Sequence, residues 1–363
     1  MLHGKPRVHH HGEMAPTPYR SMRVKANRLT PSSMLCHCHS EYAAFGLSAH
    51  MPLRLFEFCQ PSYTEELMNG LETTWGGIVI AVGNQKGGVG KTTTAVHVAC
   101  GLANRGHRTL LWDLDPSAGA TKHLGLTPDA YPGTLELLLG DINVDEACIS
   151  HTNHDIDMPD RLSIIPSKRR LERIDSTLGS RCRFFNPLDV LAHPIATLRQ
   201  SFDIIVLDTP PSTVLSPSLA TYASADWFLL AAMPDPLAIT GLADAARDIE
   251  AVRDSANRKL QLLGVVLNAV DNRTRLCREL TTYVDECFAS PTGDTLRLTP
   301  TISRSTVVPT AQKLGRSVID AFPRHPVAEQ FLAIAIAIED RLILAQRALG
   351  DAISEASLAG GLR

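Results

Sequence analysis

From Gly76 onward, apolar runs of strand length alternate with longer amphipathic stretches. The runs cover residues 78–82, 109–113, 162–165, 203–208, 227–232, 262–267 and 295–302, and each is predicted to be a strand. The stretches 92–104, 240–256 and 275–288 are predicted helices. The first of them ends at Arg105-Gly106, where a glycine can take the left-handed cap conformation. Near-continuous apolar strands must be buried on both faces, so the pattern predicts an α/β fold: a doubly wound, mainly parallel sheet with helices on either side. Residues 327–349 carry two signals. Ile334, Ile336 and Ile338 alternate like a strand, but the length, the alanine content and the spacing of Leu342, Ala345 and Leu349 predict a closing helix. No internal repeat is present.

Residues 1–75 have a different texture. Seven of the fourteen histidines lie in the first fifty residues, and prolines recur at 6, 16, 18, 31, 52 and 61. This segment reads as a flexible or unassigned N-terminal extension with a short helix near 64–71. An unstructured leader, or a start assigned too early with Met51 or Met68 as the true one, is the simplest account. A helix-turn-helix domain is opposed by the prolines. A metal site at Cys36-His37-Cys38-His39 is opposed by the alternation of those side chains along an extended chain. The expected organisation is therefore an extension over 1–75, a globular domain over 76–349 and a C-terminal tail over 350–363.

Hydrophobic residues make up 44% of the 363 and charged residues 20%, enough apolar material for a large core and too much for wholesale disorder. Thirty-five Lys and Arg stand against 38 Asp and Glu, a formal charge of −3. Any nucleic-acid binding then depends on a local basic face. The run 331–338 is stopped by Glu339, Asp340 and Arg341, too short to span a membrane, and no secretory signal is expected at the amino terminus. None of the eight cysteines forms a C-x-x-C pair, which suits reduced thiols in a cytoplasmic protein.

The sharpest motif is Gln85-Lys86-Gly87-Gly88-Val89-Gly90-Lys91-Thr92-Thr93, between a predicted strand and a predicted helix. Glycines let backbone amides wrap a phosphate, and the helix start adds favourable partial charge. Lys91 would bridge β- and γ-phosphates and the Thr92 hydroxyl would ligate magnesium. Gln85 stands where the strict phosphate-loop pattern has its first glycine, and Lys86 precedes the glycine pair.

This form resembles the deviant Walker A of the ParA/MinD group of ATPases. The resemblance implies a P-loop NTPase fold, ATP and Mg2+ as ligands, and an ATP-sandwich homodimer in which Lys86 reaches the other subunit's nucleotide. Leu110-Leu111-Trp112-Asp113-Leu114-Asp115-Pro116 resembles the ParA switch, implying that Asp115 orients the attacking water and Asp113 supports the magnesium shell. Phe202-Asp203-Ile204-Ile205-Val206-Leu207-Asp208 resembles a Walker B strand that delivers Asp208 to the metal. Further on, Met233-Pro234-Asp235-Pro236, Gly264-Val265-Val266-Leu267-Asn268 and Ile302-Ser303-Arg304 with Gly315-Arg316 resemble later family segments, so the likeness covers roughly 76–349. Asn268 is either an adenine reader or a buried structural amide.

Asn84-Gln85-Lys86 resembles the opening of ParA and Soj proteins rather than MinD. The tail, with Asp351 and Glu355 against Arg363, would make a poor membrane anchor. In ParA-type proteins basic side chains on the closed dimer bind DNA without reading sequence, which nominates Arg273, Arg275, Arg278, Arg304, Lys313 and Arg316. Lys168-Arg169-Arg170 with Arg173 reads instead as a solvated helix face. Ser117 and Gly119 replace the glutamine and asparagine common in the ParA switch, a departure that bears on hydrolysis rather than on binding.

The resemblance thus implies a weak, ATP-driven dimerisation switch for plasmid or chromosome partition. It would be cytoplasmic, nucleoid-associated when ATP-bound, and triggered by a ParB-like partner. The alternatives are a positioning or regulatory protein that recruits protein cargo without binding DNA, and a nucleotide-binding dimer that does not hydrolyse.

Overall fold

Strand β1 (Ile78–Gly83) shows why the apolar runs are continuous: Ile80 and Val82 enter one core while Val79 and Ala81 enter another. Strand β5 (Ile204–Asp208) divides the same way, with Ile204 and Val206 on one side and Ile205 and Leu207 on the other. Both faces of the sheet are covered, so a polar side chain along these strands is costly unless it finds a partner. The computed structural model describes residues 76–360, apart from 153, 155, 183–184, 212–214 and 290–294. Expectations for residues 1–75, including the 64–71 helix and the Cys36–His39 motif, lie outside the described residues.

Seven strands form one sheet in the order β3-β4-β2-β5-β1-β6-β7. The others are β2 (Thr109–Asp113), β3 (Ile149–Ser150), β4 (Leu162–Ile165), β6 (Trp227–Ala232) and β7 (Gln261–Leu267). All neighbours are parallel except β3, which runs antiparallel to β4. The helices of seven residues or more are α1 (Lys91–Asn104), α2 (Ile174–Arg181), α3 (Ala192–Ser201), α4 (Ser216–Ser224), α5 (Pro236–Ser255), α6 (Arg275–Cys287), α7 (Val307–Lys313) and α8 (Pro326–Gly360). Helices α1 and α8 cover one face, where Phe331, Ile334 and Ile338 pack near Ala95, Val98 and Leu102. Helices α3 to α6 cover the other, with Leu198, Ala220, Leu242, Ile249 and Leu280 buried. The predicted doubly wound α/β sheet is the fold observed.

His97 ties the two halves of the first layer together. Its Nδ1 lies 2.7 Å from the Thr93 carbonyl and its Nε2 accepts from the Val318 N–H at 3.0 Å, while Phe331 stacks on the ring at 3.9 Å. Burial and the neighbouring His123 hold it neutral, with its pKa lowered to about 3. Glu339 on α8 binds Arg105 and His107, closing the helix over the end of α1.

The structure corrects several expectations. Residues 295–302 form no ladder strand. They follow the outer edge of β7 through Val265 N to Leu296 O at 3.1 Å, Leu298 N to Val265 O at 2.8 Å and Ile302 N to Leu267 O at 2.8 Å. Pro300 interrupts the segment because it has no N–H to give. Helix α5 starts at Pro236, four residues before the predicted start, because the Asp235 carboxylate caps it by accepting from Leu237 and Ala238 N–H groups. Helix α8 runs on through Gly360, past the expected tail boundary at 350. Among the described residues, no helix is long and apolar enough to cross a membrane, and the five cysteines are free thiols.

Candidate nucleotide-binding site

Between the end of β1 at Gly83 and the start of α1 at Lys91, the chain makes a tight turn at the carboxyl edge of the sheet. Gly90 sits at the N-cap with φ 91°, where a Cβ would lie 2.8 Å from the Asn268 amide nitrogen. No side chain caps α1, and its first turn holds no acidic residue. The helix start is therefore open to an anion, with its N–H groups and dipole unopposed.

Two asparagines hold the loop in shape. Asn84 donates to Ala231 O at 2.9 Å and accepts from Lys86 N–H at 2.9 Å. Asn268 lies beneath the loop, donating to Val89 O at 3.3 Å and to Thr94 Oγ1 at 3.0 Å. Its own Oδ1 is buried without a protein partner. Asn84 was visible in sequence only as part of a family-like opening; nothing local signals that its amide spans from β6 to the loop.

The two lysines occupy different surroundings. Lys91 is buried and donates from Nζ to the Lys86 carbonyl at 2.8 Å. Burial lowers its pKa, opposed by the nearby charges of Asp208 and Asp115. Lys86 is half exposed and points the other way, to Asp235 Oδ1 at 2.7 Å. That contact, with Lys86 as its main cause, holds Asp235 below the usual carboxylate range.

Three carboxylates lie near the loop, Asp113 and Asp208 at the ends of β2 and β5 and Asp115 two residues past β2. Asp113 and Asp208 are register partners, and both are fully buried. Asp113 Oδ1 accepts from Asp115 N–H at 3.1 Å, while its Oδ2 accepts from Thr121 N–H at 2.9 Å and Thr121 Oγ1 at 2.7 Å. Burial still pushes it up to about 6. Both oxygens of Asp208 are buried with no hydrogen-bond partner. Burial, then the neighbouring Asp113, raises its pKa well above the ordinary value, and the Thr92 hydroxyl and Lys91 oppose the rise. Asp115 is half-buried, accepting from Ser117 N–H at 2.8 Å and close enough to Lys91 for its charge to act there.

The segment after Asp115 then runs close to the loop. Ala118 is in the left-handed region at φ 54°. A Cβ on Gly119 would lie 3.1 Å from Thr92 Oγ1, so the residue that departs from the family pattern leaves room for that hydroxyl. A buried carboxylate with two orphan oxygens beside a threonine hydroxyl fits a hard cation that keeps most of its shell as phosphate and water oxygens. Among the described residues, no three His, Cys, Asp or Glu side chains converge as an all-protein metal cage.

A family model described as an AAA domain matches residues 77–262, just over half of the chain. The chain is 30% identical over 260 residues to the chromosome partitioning protein ParA of Myxococcus xanthus, spanning 71% of this chain and 86% of that protein. It is also 30% identical over 264 residues to the sporulation initiation inhibitor protein Soj of Bacillus subtilis, spanning 71% and 97%. The chain belongs to the ParA/Soj group of P-loop ATPases. Among solved structures, the cobyrinic acid a,c-diamide synthase of Mycobacterium smegmatis with bound ADP and magnesium is similar at TM-score 0.58 and 28% identity, covering 71% of this chain and 92% of that one.

In this ParA/Soj-group chain the six basic residues nominated from sequence fall into two sets. Arg273, Arg275, Arg278 and Arg304 gather at the carboxyl end of β7, where Arg304 N–H bonds to Val270 O at 3.0 Å. Lys313 and Arg316 lie at the far end of α7, where Gly315 packs against Gly125. Arg273 is held by Asp271 at 2.7 Å, Arg275 by Glu279 at 2.5 Å and Arg316 by Asp157 at 3.2 Å. Arg278 donates to the Asn272 carbonyl at 2.7 Å, and Arg304 and Lys313 are exposed. Lys168, expected on a solvated face, is buried instead. It donates to Tyr131 O at 3.0 Å and Glu136 at 2.9 Å, because an ammonium with two acceptors can leave water.

Proposed function

We propose that this ATPase is an ATP-dependent dimerisation switch that binds DNA non-specifically and serves plasmid or chromosome partition. The observation that carries the reading is the divergence of the two lysines. Lys91 is buried in its own site, whereas Lys86 stands partly exposed against Asp235 at the start of α5. A homodimer closed around two nucleotides gives Lys86 its task, at the phosphates of the other subunit.

In this reading the domain over 76–349 does the following. Backbone N–H groups of Gly87, Gly88, Val89, Gly90 and Thr93 cradle the phosphates, with Lys91 across the β- and γ-positions. Thr92 and Asp208 would hold Mg2+, and Asp113, its oxygens bonded by Thr121 and the Asp115 N–H, would support the metal's shell. When bound, Mg2+ would supply charge neutralisation at the phosphate oxygens. Asp115 orients the attacking water, and Asn268 keeps the loop in register beside the base. Closure aligns Arg273, Arg275, Arg278, Arg304, Lys313 and Arg316 towards DNA. A ParB-like partner stimulates hydrolysis and release, and the protein is cytoplasmic, on the nucleoid when ATP-bound and without stable membrane anchoring.

One observation favours a second reading, recruitment of protein cargo without DNA. Arg273, Arg275 and Arg316 already have acidic partners within the chain, which reduces the positive field left for phosphate. Retention on non-specific duplex DNA at two salt concentrations, with ATP, ADP or no nucleotide, separates them. Salt-sensitive retention with ATP only, absent in Lys86→Ala and Lys91→Ala, is expected. Dimerisation by ATP without DNA retention would replace the partition reading with the cargo reading.

A further inference from the structure

The short helix Thr134–Leu138 and the 3-10 turn Arg169–Arg173 that leads into α2 border a cleft of about 430 Å³, away from the phosphate loop. Its floor is apolar, with Leu135 and Leu139 packed in a small cluster around Leu171 and Ile174. Its rim is cationic: Arg170, Arg173 and Arg181 line it, with Glu136 and Asp141 between them. Both carboxylates are already matched, Glu136 by Lys168 at 2.9 Å and Asp141 by Arg181 at 2.7 Å. Arg170 and Arg173 are exposed and, among the described residues, have no acidic partner. They are three residues apart in a 3-10 turn, where such side chains eclipse one another on one side. The cleft therefore carries two unmatched guanidinium groups above an apolar floor.

We propose that this cleft is a docking site for an acidic, leucine-like segment of a partner protein, two carboxylates meeting Arg170 and Arg173 while an apolar side chain covers Leu135 and Leu139. A guanidinium fork suits a carboxylate in two-point pairing. Glu136 and Asp141 in the walls disfavour a continuous phosphate backbone, and the apolar floor offers it nothing. The volume suits a few side chains, which makes the contact a weak, transient one.

Both walls are tied to the switch. Thr134 Oγ1 at the start of the cleft helix donates to Asp113 O at 2.7 Å and accepts from Trp112 Nε1 at 3.1 Å. On the other wall, Ser167 N–H donates at 2.9 Å to the same Thr121 hydroxyl that binds Asp113, and the next residue is Lys168, which grips Glu136. A movement of the Asp113–Thr121 segment therefore reaches both sides of the cleft, and occupancy of the cleft is linked to the nucleotide state. This linkage rests on the switch reading above; the docking site does not.

The test uses the full chain and fluorescence anisotropy of a short labelled peptide of alternating glutamate and leucine, with a lysine–leucine peptide and duplex DNA as comparison probes. The acidic peptide is expected to bind without nucleotide, and the Arg170→Ala/Arg173→Ala double variant to weaken it by about tenfold or more. Arg169→Ala, a neighbouring exposed cation, should leave it unchanged. Arg170→Glu/Arg173→Glu should transfer preference to the lysine–leucine peptide. Equal binding of the two peptides by the parent chain, no binding of the acidic one, or indifference to the double variant overturns the site. Displacement of the peptide by DNA that is itself lost in the same variant makes the cleft a nucleic-acid surface and overturns the proposal. Equal peptide affinity with ATP and ADP overturns the linkage alone. Because the binding assay needs neither hydrolysis nor DNA retention, its failure is distinguishable from failure of the partition reading.

Discussion

The ends of β2 and β5 lie side by side and carry the same side chain, yet the two aspartates are in opposite situations. Asp113 accepts three hydrogen bonds from its own chain, two of them from Thr121. The Asp208 carboxylate, directly across in register, accepts none. Each is fully buried, so burial cannot explain the contrast. A carboxylate surrounded by donors is part of the framework that shapes the switch. One left with both oxygens unmatched is costly to the fold, which is the cost expected of the metal-holding role proposed for Asp208.

The largest effect that can break this comparison is on turnover. Asp208→Asn should lower magnesium-dependent phosphate release by about a hundredfold or more while leaving the nucleotide-free melting temperature the same or higher. A melting temperature that falls as far as in Asp113 variants would mean that Asp208 is framework too. Asp113→Ala should instead cost about 2–3 kcal/mol in denaturant unfolding, because Thr121 and Asp115 lose their acceptor in a buried setting. An unchanged denaturation midpoint would show that the switch does not depend on this carboxylate.

A smaller effect sharpens the pair through pH. Both carboxylates hold protons more tightly in the fold than in the unfolded chain, Asp113 at about 6 against an ordinary 3.8 and Asp208 also raised. The native state then binds more protons than the unfolded state, so their contribution to stability falls as pH rises from about 4 through about 6. Nucleotide-free parent protein should lose stability over that window relative to Asp208→Asn, measured as the difference between their denaturation midpoints. No divergence between the two would remove the raised carboxylate from the account. The smallest effect concerns the switch backbone. Ala118 at φ 54° holds a conformation that glycine adopts freely, so Ala118→Gly should stabilise by about 0.5–1 kcal/mol. Destabilisation in thermal unfolding would show that buried packing of the methyl outweighs the backbone strain.

Legibility followed sequence distance. The phosphate loop, the strand leading to it and the helix leaving it are contiguous, and six strands were readable because each is apolar on both faces. The two-residue β3 was not, since Ile149–Ser150 is too short to carry a period and exists through its pairing with β4. Residues 295–302 imitate a strand because the same apolar spacing serves an edge segment whose ladder Pro300 interrupts. Lys168 looked solvated because its two acceptors, Tyr131 and Glu136, are more than thirty residues away. The basic residues from 273 to 316 formed one cluster along the chain. In space, Arg273 to Arg304 and Lys313 with Arg316 separate into two sets, several of them already matched by acids.

The sequence by itself determined the sheet, the phosphate loop and the order in which Asp113, Asp115 and Asp208 reach the strand ends, because each depends on spacing within one strand–turn–helix unit. Which aspartate is satisfied and which is left open, which lysine is buried, and which arginines are free along a cleft tied to the switch were decided only by tertiary structure. Hydrogen-bond satisfaction and charge pairing depend on neighbours brought together across the fold, and no spacing along the chain encodes who those neighbours are.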